Sequence, residues 1–306
     1  MTRNFLSIDD FTAAELSACL ALAQRGKRSR AFRAGALAGS TVALVFQKPS
    51  VRTRVSFEVA ARQLGGGALY LGPDDAKLDQ REPVKDVART LSRYVQAIVA
   101  RTFRHAQVEE FARYATVPVI NGLSDLHHPC QALADLLTIK ERVGRLQGIK
   151  IAYVGDGNNV LHSLAQGAVR LGASVRAATP AAYAPDAAIW RRARRHGAGS
   201  LELIRDPEKA ARGADVLYTD VWTSMGQEAE RAARQAAFKG FQINARLLQL
   251  ASPRAIVMHC LPAHRGEEIT DDALEGPRSA VFDQAENRLH AQKALLLMLL
   301  AKKGRS

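Results

Sequence analysis

The sequence has 306 residues, 47% of them hydrophobic, which suits two α/β domains with a sizeable interior. The net charge is +13, but the basic residues are dispersed apart from clusters at 25–33 and 191–195, and no nucleic-acid-binding module is evident. No apolar run approaches the roughly 18 residues of a membrane span, and no signal-peptide core is present. Cys19, Cys130 and Cys260 follow no disulfide spacing, so we expect reduced thiols in the cytoplasm.

Short β-branched segments alternate with amphipathic segments along the chain. The predicted strands are 41–46, 68–71, 97–100, 117–120, 150–154, 174–178, 215–221 and 255–259. The predicted helices include 52–64, 84–94, 129–141, 159–171 and 284–302. This alternation predicts an α/β fold with two doubly wound domains, each a parallel sheet of four strands flanked by helices. We place the domains at 1–145 and 146–306, and expect the C-terminal helix to pack back on the first domain.

The first predicted strand runs into Gln47-Lys-Pro-Ser50, and Ser50 is a good N-cap for the next helix. Arg52 and Thr53 then lie in the first helical turn, where backbone N–H groups and the helix dipole favour an anion. A guanidinium adds a planar fork that suits phosphate. The alternative is a solvated turn in which Arg54 pairs with Glu58 across one helical turn.

His128 and Gln131 lie side by side at the start of the predicted helix 129–141, where Pro129 fits the first helical position. They are candidate donors to a carbonyl or an oxyanion, or else a capping histidine and a solvated glutamine. The turn at 153–159 resembles a dinucleotide fingerprint, but Val160 stands where its third glycine belongs. We expect this turn to present Asn158 and Asn159 to a polar ligand.

Two further strand ends carry polar side chains. Asp220, which is followed by the loop Ser224-Met225-Gly226, could pair with a substrate ammonium group or merely cap a turn. Cys260 follows a buried-looking strand, where a free cysteine is usually inert core. His259, Cys260 and His264 lack the ligand spacing of a zinc finger with His128 and Cys130, so no metal site is expected.

Five motifs, in this order, together resemble the ornithine carbamoyltransferases of the aspartate/ornithine carbamoyltransferase superfamily. They are Ser-x-Arg-Thr-Arg after a strand, His-Pro-Cys-Gln, Gly-Asp-Gly-Asn-Asn, Asp-Val-Trp-x-Ser-Met-Gly and His-Cys-Leu-Pro. The resemblance implies transfer of a carbamoyl group from carbamoyl phosphate to the side-chain amine of ornithine, in arginine biosynthesis or in urea-type nitrogen metabolism. It also implies a homotrimer or a multiple of trimers, with no metal or organic cofactor. From the composition and the dispersed charge we expect no membrane or nucleic-acid partner.

Carried over by position, the resemblance implies a catalytic set of Arg52, Arg101, His128, Gln131 and Cys260. The implied carbamoyl phosphate site also includes Ser50, Val51, Thr53, Lys77, Leu261 and Arg288. The implied ornithine site consists of Asn159, Asp220, Ser224 and Met225.

Two positions depart from the family pattern. Val51 replaces a threonine, which removes at most one hydrogen bond and predicts weakened phosphate affinity. In the loop 76–83, Lys77 stands where a glutamine is expected and two glycines are missing; a lysine can still reach a phosphate as a point charge.

Two alternatives to carbamoyl transfer onto ornithine differ from it in the molecule that the protein binds. One alternative is a carbamoyltransferase that uses another acceptor amine, such as putrescine, N-acetylornithine or lysine. The set of Asp220, Ser224 and Met225 argues instead for a free amino acid as the acceptor. A non-catalytic anion-binding or nucleic-acid-binding protein is the other, and it would show steeply salt-dependent retention of DNA without forming citrulline.

Overall fold

The structure, a computed structural model, describes residues 2–29 and 31–301. Its helices are α1 (Ala13–Arg28), α2 (Val51–Gln63), α3 (Pro73–Ala76), α4 (Val84–Leu91), α5 (His105–Tyr114), α6 (Pro129–Val143), α7 (Asn159–Arg170), α8 (Ala187–His196), α9 (Pro207–Ala211), α10 (Arg231–Ala237), α11 (Ala245–Leu250), α12 (Asp271–Glu275) and α13 (Val281–Leu300). Its strands are β1 (Thr41–Phe46), β2 (Gly67–Leu71), β3 (Ala97–Arg101), β4 (Val119–Leu123), β5 (Lys150–Val154), β6 (Ser174–Ala178), β7 (Leu201–Ile204), β8 (Val216–Thr219) and β9 (Ile256–His259).

The chain divides into two compact units, one made of residues up to 134 with those from 286 onward, and the other of residues 135–285. Within the described residues, the first unit holds a parallel sheet in the order β2-β1-β3-β4, and the second holds a parallel sheet in the order β7-β6-β5-β8-β9. In each sheet the order reverses at a central strand pair, as the doubly wound prediction requires. The predicted boundary near 145 stays a prediction.

The first sheet packs against helices through apolar residues of its central strands. One core cluster joins Val45 and Ile98 to α4 and to Phe111 of α5. From residue 286 onward α13 belongs to this unit, where Lys293 donates to the Gln63 side chain of α2 (3.2 Å). The predicted return of the C-terminal helix to the first domain is confirmed; residue 302, the predicted helix end, lies outside the described residues.

The second sheet differs from its prediction by one strand. We predicted four strands there, whereas the described residues form five, because Leu201–Ile204 adds an edge strand beside β6. Four residues after an arginine-rich helix give too short an alternation to be recognised. In the first sheet, β4 was predicted at 117–120 but begins at Val119 and continues to Leu123. Among the described residues, no helix combines the length and the apolar character that crossing a membrane requires.

Candidate active site

The carboxyl ends of β1, β3 and β4 form one edge of the first sheet. Phe46 pairs with Arg101, and Arg101 pairs with Leu123 after a bulge, so the segments that follow these strands begin side by side. The loop after β1 is tied to β3, because the Gln47 backbone N–H donates to the Arg101 carbonyl (2.8 Å). The sheet register thus brings the start of α2 next to Arg101.

Helix α2 begins as the sequence predicts. The Ser50 side chain accepts a hydrogen bond from the Thr53 backbone N–H (3.2 Å), which makes Ser50 the N-cap. Arg52 is half-buried, whereas Arg54 is exposed, pairs with Glu58 (2.9 Å between Nε and Oε1) and stacks 3.9 Å from the Tyr70 ring centre. The Arg54–Glu58 pair of the alternative interpretation is therefore present, and the two arginines differ in what they can bind.

Val51 and Thr53 flank Arg52 but differ in their surroundings. Val51 is 76% exposed, whereas Thr53 is buried. The Thr53 hydroxyl accepts from the Arg288 guanidinium (3.0 Å), so its hydrogen is directed elsewhere as a donor. A threonine in place of Val51 would add a hydroxyl at a position that solvent reaches.

Arg288 joins the start of α2 to the start of α6. It is 2% exposed, and its second terminal nitrogen donates to the Gln131 amide oxygen (2.8 Å). Gln292, in the amide orientation that satisfies its neighbours, accepts from Arg288 and donates to the Ser56 hydroxyl. Arg288 therefore fixes the side-chain oxygens of both Thr53 and Gln131.

His128 is buried in a strongly cationic environment. Burial lowers the pKa of His128 well below its ordinary value. Three guanidinium charges lower it further, in the order Arg288, Arg101 and Arg52. His128 is consequently a neutral imidazole near pH 7. The residues of the first predicted site, Arg52, Arg101, Gln131 and Arg288, thus lie in one cluster with Thr53 and His128.

Lys77 differs from this cluster. It is exposed at the end of α3, with a φ of 27°, and no hydrogen bond or ion pair joins its ammonium group to any residue in the described ranges. Later in the same loop, Asp79 accepts from Gln107 (2.7 Å) and from Arg104 (3.4 Å). The loop 76–83 is thus anchored to α5, while Lys77 is not joined to the His128 cluster.

The carboxyl ends of β5, β8 and β9 form the corresponding edge of the second sheet. Asp220 is buried there and receives two hydrogen bonds. The Asn158 amide donates to its Oδ2 (2.7 Å), and the Cys260 thiol donates to its Oδ1 (2.9 Å). Adjacent strands bring together residues that are 40 and 62 positions apart in sequence.

Asn158 holds Asp220 and also caps α7, since its amide oxygen accepts from the Val160 and Leu161 N–H groups. The expectation that Asn158 faces a ligand is therefore wrong, because both ends of its amide bind within the protein. Gly157 is required by packing rather than by a dinucleotide: a Cβ there would lie 2.3 Å from the Pro185 nitrogen.

The remaining predicted residues of the second site lie around these groups. Asn159 is the first residue of α7 and is half-buried. Ser224 is half-buried, and its backbone N–H donates to the Gln227 side-chain oxygen (3.1 Å). Met225 is 49% exposed. Leu261 is half-buried and adopts a positive φ of 59° directly after Cys260.

His259 fixes the backbone at Cys260, a role that the sequence did not reveal. Its Nδ1 accepts from the Leu261 N–H (2.8 Å), so the ring proton is on Nε2 and is donated to Glu268 (3.0 Å). Both side chains are fully buried. With both ring nitrogens engaged, His259 offers no ligand to a metal beside Asp220 and Cys260, although these three groups lie close together.

Gln284 supports His259 from α13. Its amide oxygen accepts from the His259 backbone N–H (2.9 Å), and its amide nitrogen donates to buried Asp135 (2.7 Å). Tyr218 also donates to Asp135 (3.0 Å). Sequence reasoning missed Gln284, Asp135 and Tyr218, and polar residues within otherwise apolar periodic segments were the available signal.

Asp156 and Arg234 form a buried pair that sequence reasoning also missed. Arg234 contacts Asp156 (3.1 Å) and donates to the Trp222 carbonyl (2.9 Å), which fixes the loop after Asp220. Burial raises the pKa of Asp156 to about 6, against the opposing charge of Arg234. The pair positions the loop that leads to Ser224.

Family models and known proteins match nearly the whole chain. The family model described as the carbamoyl-P binding domain of aspartate/ornithine carbamoyltransferase matches residues 3–141, and that described as the Asp/Orn binding domain matches residues 147–299. The ornithine carbamoyltransferase of Acidothermus cellulolyticus is 58% identical over 308 aligned positions, covering 99% of this chain and 98% of the relative.

Two solved structures have the same fold over nearly the whole chain. The ornithine carbamoyltransferase from Pyrococcus furiosus matches with a TM-score of 0.95 and 53% identity, covering 99% of this chain and 98% of that one. The anabolic enzyme from Campylobacter jejuni matches with a TM-score of 0.93 and 39% identity, covering 98% and 99%. This chain therefore belongs to the aspartate/ornithine carbamoyltransferase family, as its five motifs predicted.

Proposed function

We propose that this chain transfers the carbamoyl group of carbamoyl phosphate to the side-chain amine of L-ornithine, giving L-citrulline and phosphate. Three guanidinium groups around one neutral imidazole carry this proposal, because Arg52, Arg101 and Arg288 all act on buried His128. Such a cluster suits a ligand with a phosphate at one end and a carbonyl at the other. Relatives named anabolic support a place in arginine biosynthesis.

We assign phosphate binding to the start of α2. Arg52 and the helix N-terminus would neutralise the leaving phosphate, with Ser50, Thr53 and the backbone at Val51 as neighbouring contacts. Lys77 would supply a further charge if its loop reaches the ligand. We assign residues 1–145 to this carbamoyl phosphate domain and residues 146–306 to the ornithine domain.

The carbonyl end would be held by Arg101, His128 and Gln131. A neutral imidazole and an amide nitrogen donate hydrogen bonds without adding charge to the carbonyl, while Arg101 and Arg288 supply the field that stabilises the tetrahedral oxyanion. Arg288 binds the Gln131 oxygen, so we assign the NH2 group of that amide as the donor to the carbonyl. This preorganisation reduces the reorganisation needed as charge develops.

Ornithine would bind at the edge of the second sheet. We assign its α-ammonium group to Asp220 and its carboxylate to Asn159, with Ser224 and Met225 along the chain of the substrate. Cys260 and Leu261 would line the reacting centre, where the thiol held by Asp220 positions the attacking amine. An alkylammonium group is almost fully charged at pH 7, so it must lose a proton before attack, and the leaving phosphate is the proposed acceptor.

We also propose a homotrimer, or a multiple of trimers, in the cytoplasm. The exposed apolar side chains Val51, Val55 and Leu69 on α2 and the edge strand β2 support an interface between subunits. The unbridged cysteines, two of them buried, support a reducing compartment. Light scattering of the purified chain tests the assembly, and a monomeric mass at micromolar concentration would contradict it.

One assay tests the reaction and its acceptor together. Carbamoyl phosphate is supplied with ornithine, lysine, putrescine or N-acetylornithine in parallel, and both ureido product and phosphate are measured. We expect ornithine to give the highest kcat/KM, because putrescine lacks the carboxylate and N-acetylornithine lacks the ammonium group. Faster turnover of another amine, or phosphate release without ureido product, would contradict the proposal.

A further inference from the structure

The loop after β9 brings three potential metal ligands together outside the proposed active site. One ring nitrogen of His264 and one carboxylate oxygen each of Glu267 and Glu268 all lie within 4.8 Å of one another. His264 is exposed, Glu267 is half-buried and Glu268 is fully buried. The group is therefore open to solvent on one side and has a buried carboxylate beneath it.

Glu268 has one oxygen that the protein uses and one that it does not. Oε1 accepts from His259 Nε2 (3.0 Å) and from the His264 backbone N–H (2.6 Å). Oε2 is buried and has no hydrogen-bond partner within residues 2–29 and 31–301. His264 Nδ1 is 3.9 Å from Oε2, beyond hydrogen-bond range. A buried carboxylate oxygen without a partner costs free energy, and a cation bound there would remove that cost.

Glu267 also accepts its side-chain hydrogen bonds at one carboxylate oxygen. Arg231 (2.8 Å) and Gln235 (3.1 Å) both donate to its Oε1. The backbone of the loop is held by Gln242, whose amide donates to the carbonyls of Gly266 (2.9 Å) and Glu267 (2.8 Å). The carboxylates are thus set on a fixed loop before any cation binds.

We propose that His264, Glu267 and Glu268 form a binding site for a divalent transition-metal ion, with Zn²⁺ as the best match. Zinc accepts one imidazole nitrogen and two carboxylate oxygens at about 2.0–2.2 Å and often keeps a fourth position for water. Rotation of the exposed His264 side chain would close the remaining distance. Magnesium and calcium favour all-oxygen ligand sets, so the imidazole selects against them.

A second group of potential ligands differs from the proposed site because it includes a sulfur. It consists of Asp220, His259 and Cys260. His259 uses both ring nitrogens within the protein, so a metal there would depend on the Cys260 thiolate. The proposed site contains no sulfur. This difference gives a spectroscopic distinction between the two, since only thiolate ligands give intense charge-transfer bands with cobalt.

The test titrates Zn²⁺ into the chelator-treated protein by calorimetry, and Co²⁺ in a parallel absorption experiment. We expect one site per chain, no thiolate-to-cobalt band, and an increase in melting temperature on adding zinc. His264→Asn and Glu267→Gln should each weaken zinc affinity at least tenfold. Cys260→Ser and His196→Asn, the second a change at an exposed histidine on α8, should leave that affinity unchanged.

Three outcomes would overturn the proposal. They are the absence of zinc binding, a cobalt thiolate band that disappears in Cys260→Ser, and an affinity in His264→Asn equal to that of the unsubstituted protein. Melting curves of each variant without metal show whether it is folded. Because His264 and Glu267 are not fully buried, we expect both variants to fold, and either one decides the result.

Discussion

Arg52 and Arg54 lie two residues apart at the start of α2, and we expect only Arg52 to matter for carbamoyl phosphate. Arg52 is half-buried, and its charge acts on the buried imidazole of His128. Arg54 is exposed and is already bound to Glu58 and stacked on Tyr70. The substitutions Arg52→Gln and Arg54→Gln therefore form a matched pair on one helical turn.

The two substitutions should differ clearly in their effect on carbamoyl phosphate affinity. Loss of a charge-assisted hydrogen bond from Arg52 to a phosphate costs about 1.5–3 kcal/mol, which corresponds to roughly 10- to 150-fold in affinity. Loss of the exposed Arg54–Glu58 pair costs about 0.2–0.5 kcal/mol of helix stability. It removes no contact to the proposed ligand. We expect Arg54→Gln to change carbamoyl phosphate affinity by about twofold or less.

The assay measures KM for carbamoyl phosphate at saturating ornithine, together with kcat and the melting temperature of each variant. A large rise in KM for Arg52→Gln, with a melting temperature near that of the unsubstituted protein, is the expected result. If the two variants differed by less than threefold, or if Arg54→Gln were the weaker binder, the assignment of Arg52 to the phosphate would be wrong.

Three further predictions concern neighbouring residues. Val51→Thr should lower KM for carbamoyl phosphate, because the added hydroxyl can form one hydrogen bond worth about 0.5–1.5 kcal/mol of binding free energy. An unchanged or higher KM would count against a phosphate contact there. Folding lowers the pKa of His128, so the unfolded chain binds a proton at this group at a higher pH than the folded protein does. The contribution of His128 to the free energy of unfolding is therefore present above the unfolded pKa of about 6.5 and is lost as pH falls below it. The loss is up to ~1.4 kcal/mol per pH unit. His128→Gln should flatten this slope in denaturant titrations between pH 5 and 7, whereas an identical slope would contradict it. Gln284→Leu should destabilise the protein by about 1–3 kcal/mol for each polar group left unpaired, which urea unfolding measures. Because the substitution frees the backbone at His259, we also expect kcat to fall while KM for carbamoyl phosphate changes less. Steady-state kinetics measure both constants, and a wild-type kcat would refute a positioning role.

The sequence by itself determined the parallel α/β architecture and the polar ends of its strands. Strand and helix periods, the Ser50 cap and Pro129 at the start of α6 are local features, so the chain expresses them without reference to distant residues. The edge strand β7 was missed because four residues give too little pattern, and its existence depends on pairing with β6.

Only the tertiary structure decided which polar side chains meet and what each one does. Arg288 reaches Thr53 across 235 positions. Burial, together with the charge of Arg288, lowers the pKa of His128. Asn158 faced a ligand in the sequence interpretation but supports Asp220 in the structure, since capping and strand order together use both ends of its amide. Packing sets distances, burial and hydrogen-bond partners between remote segments, and these quantities determine the charge and orientation of each group.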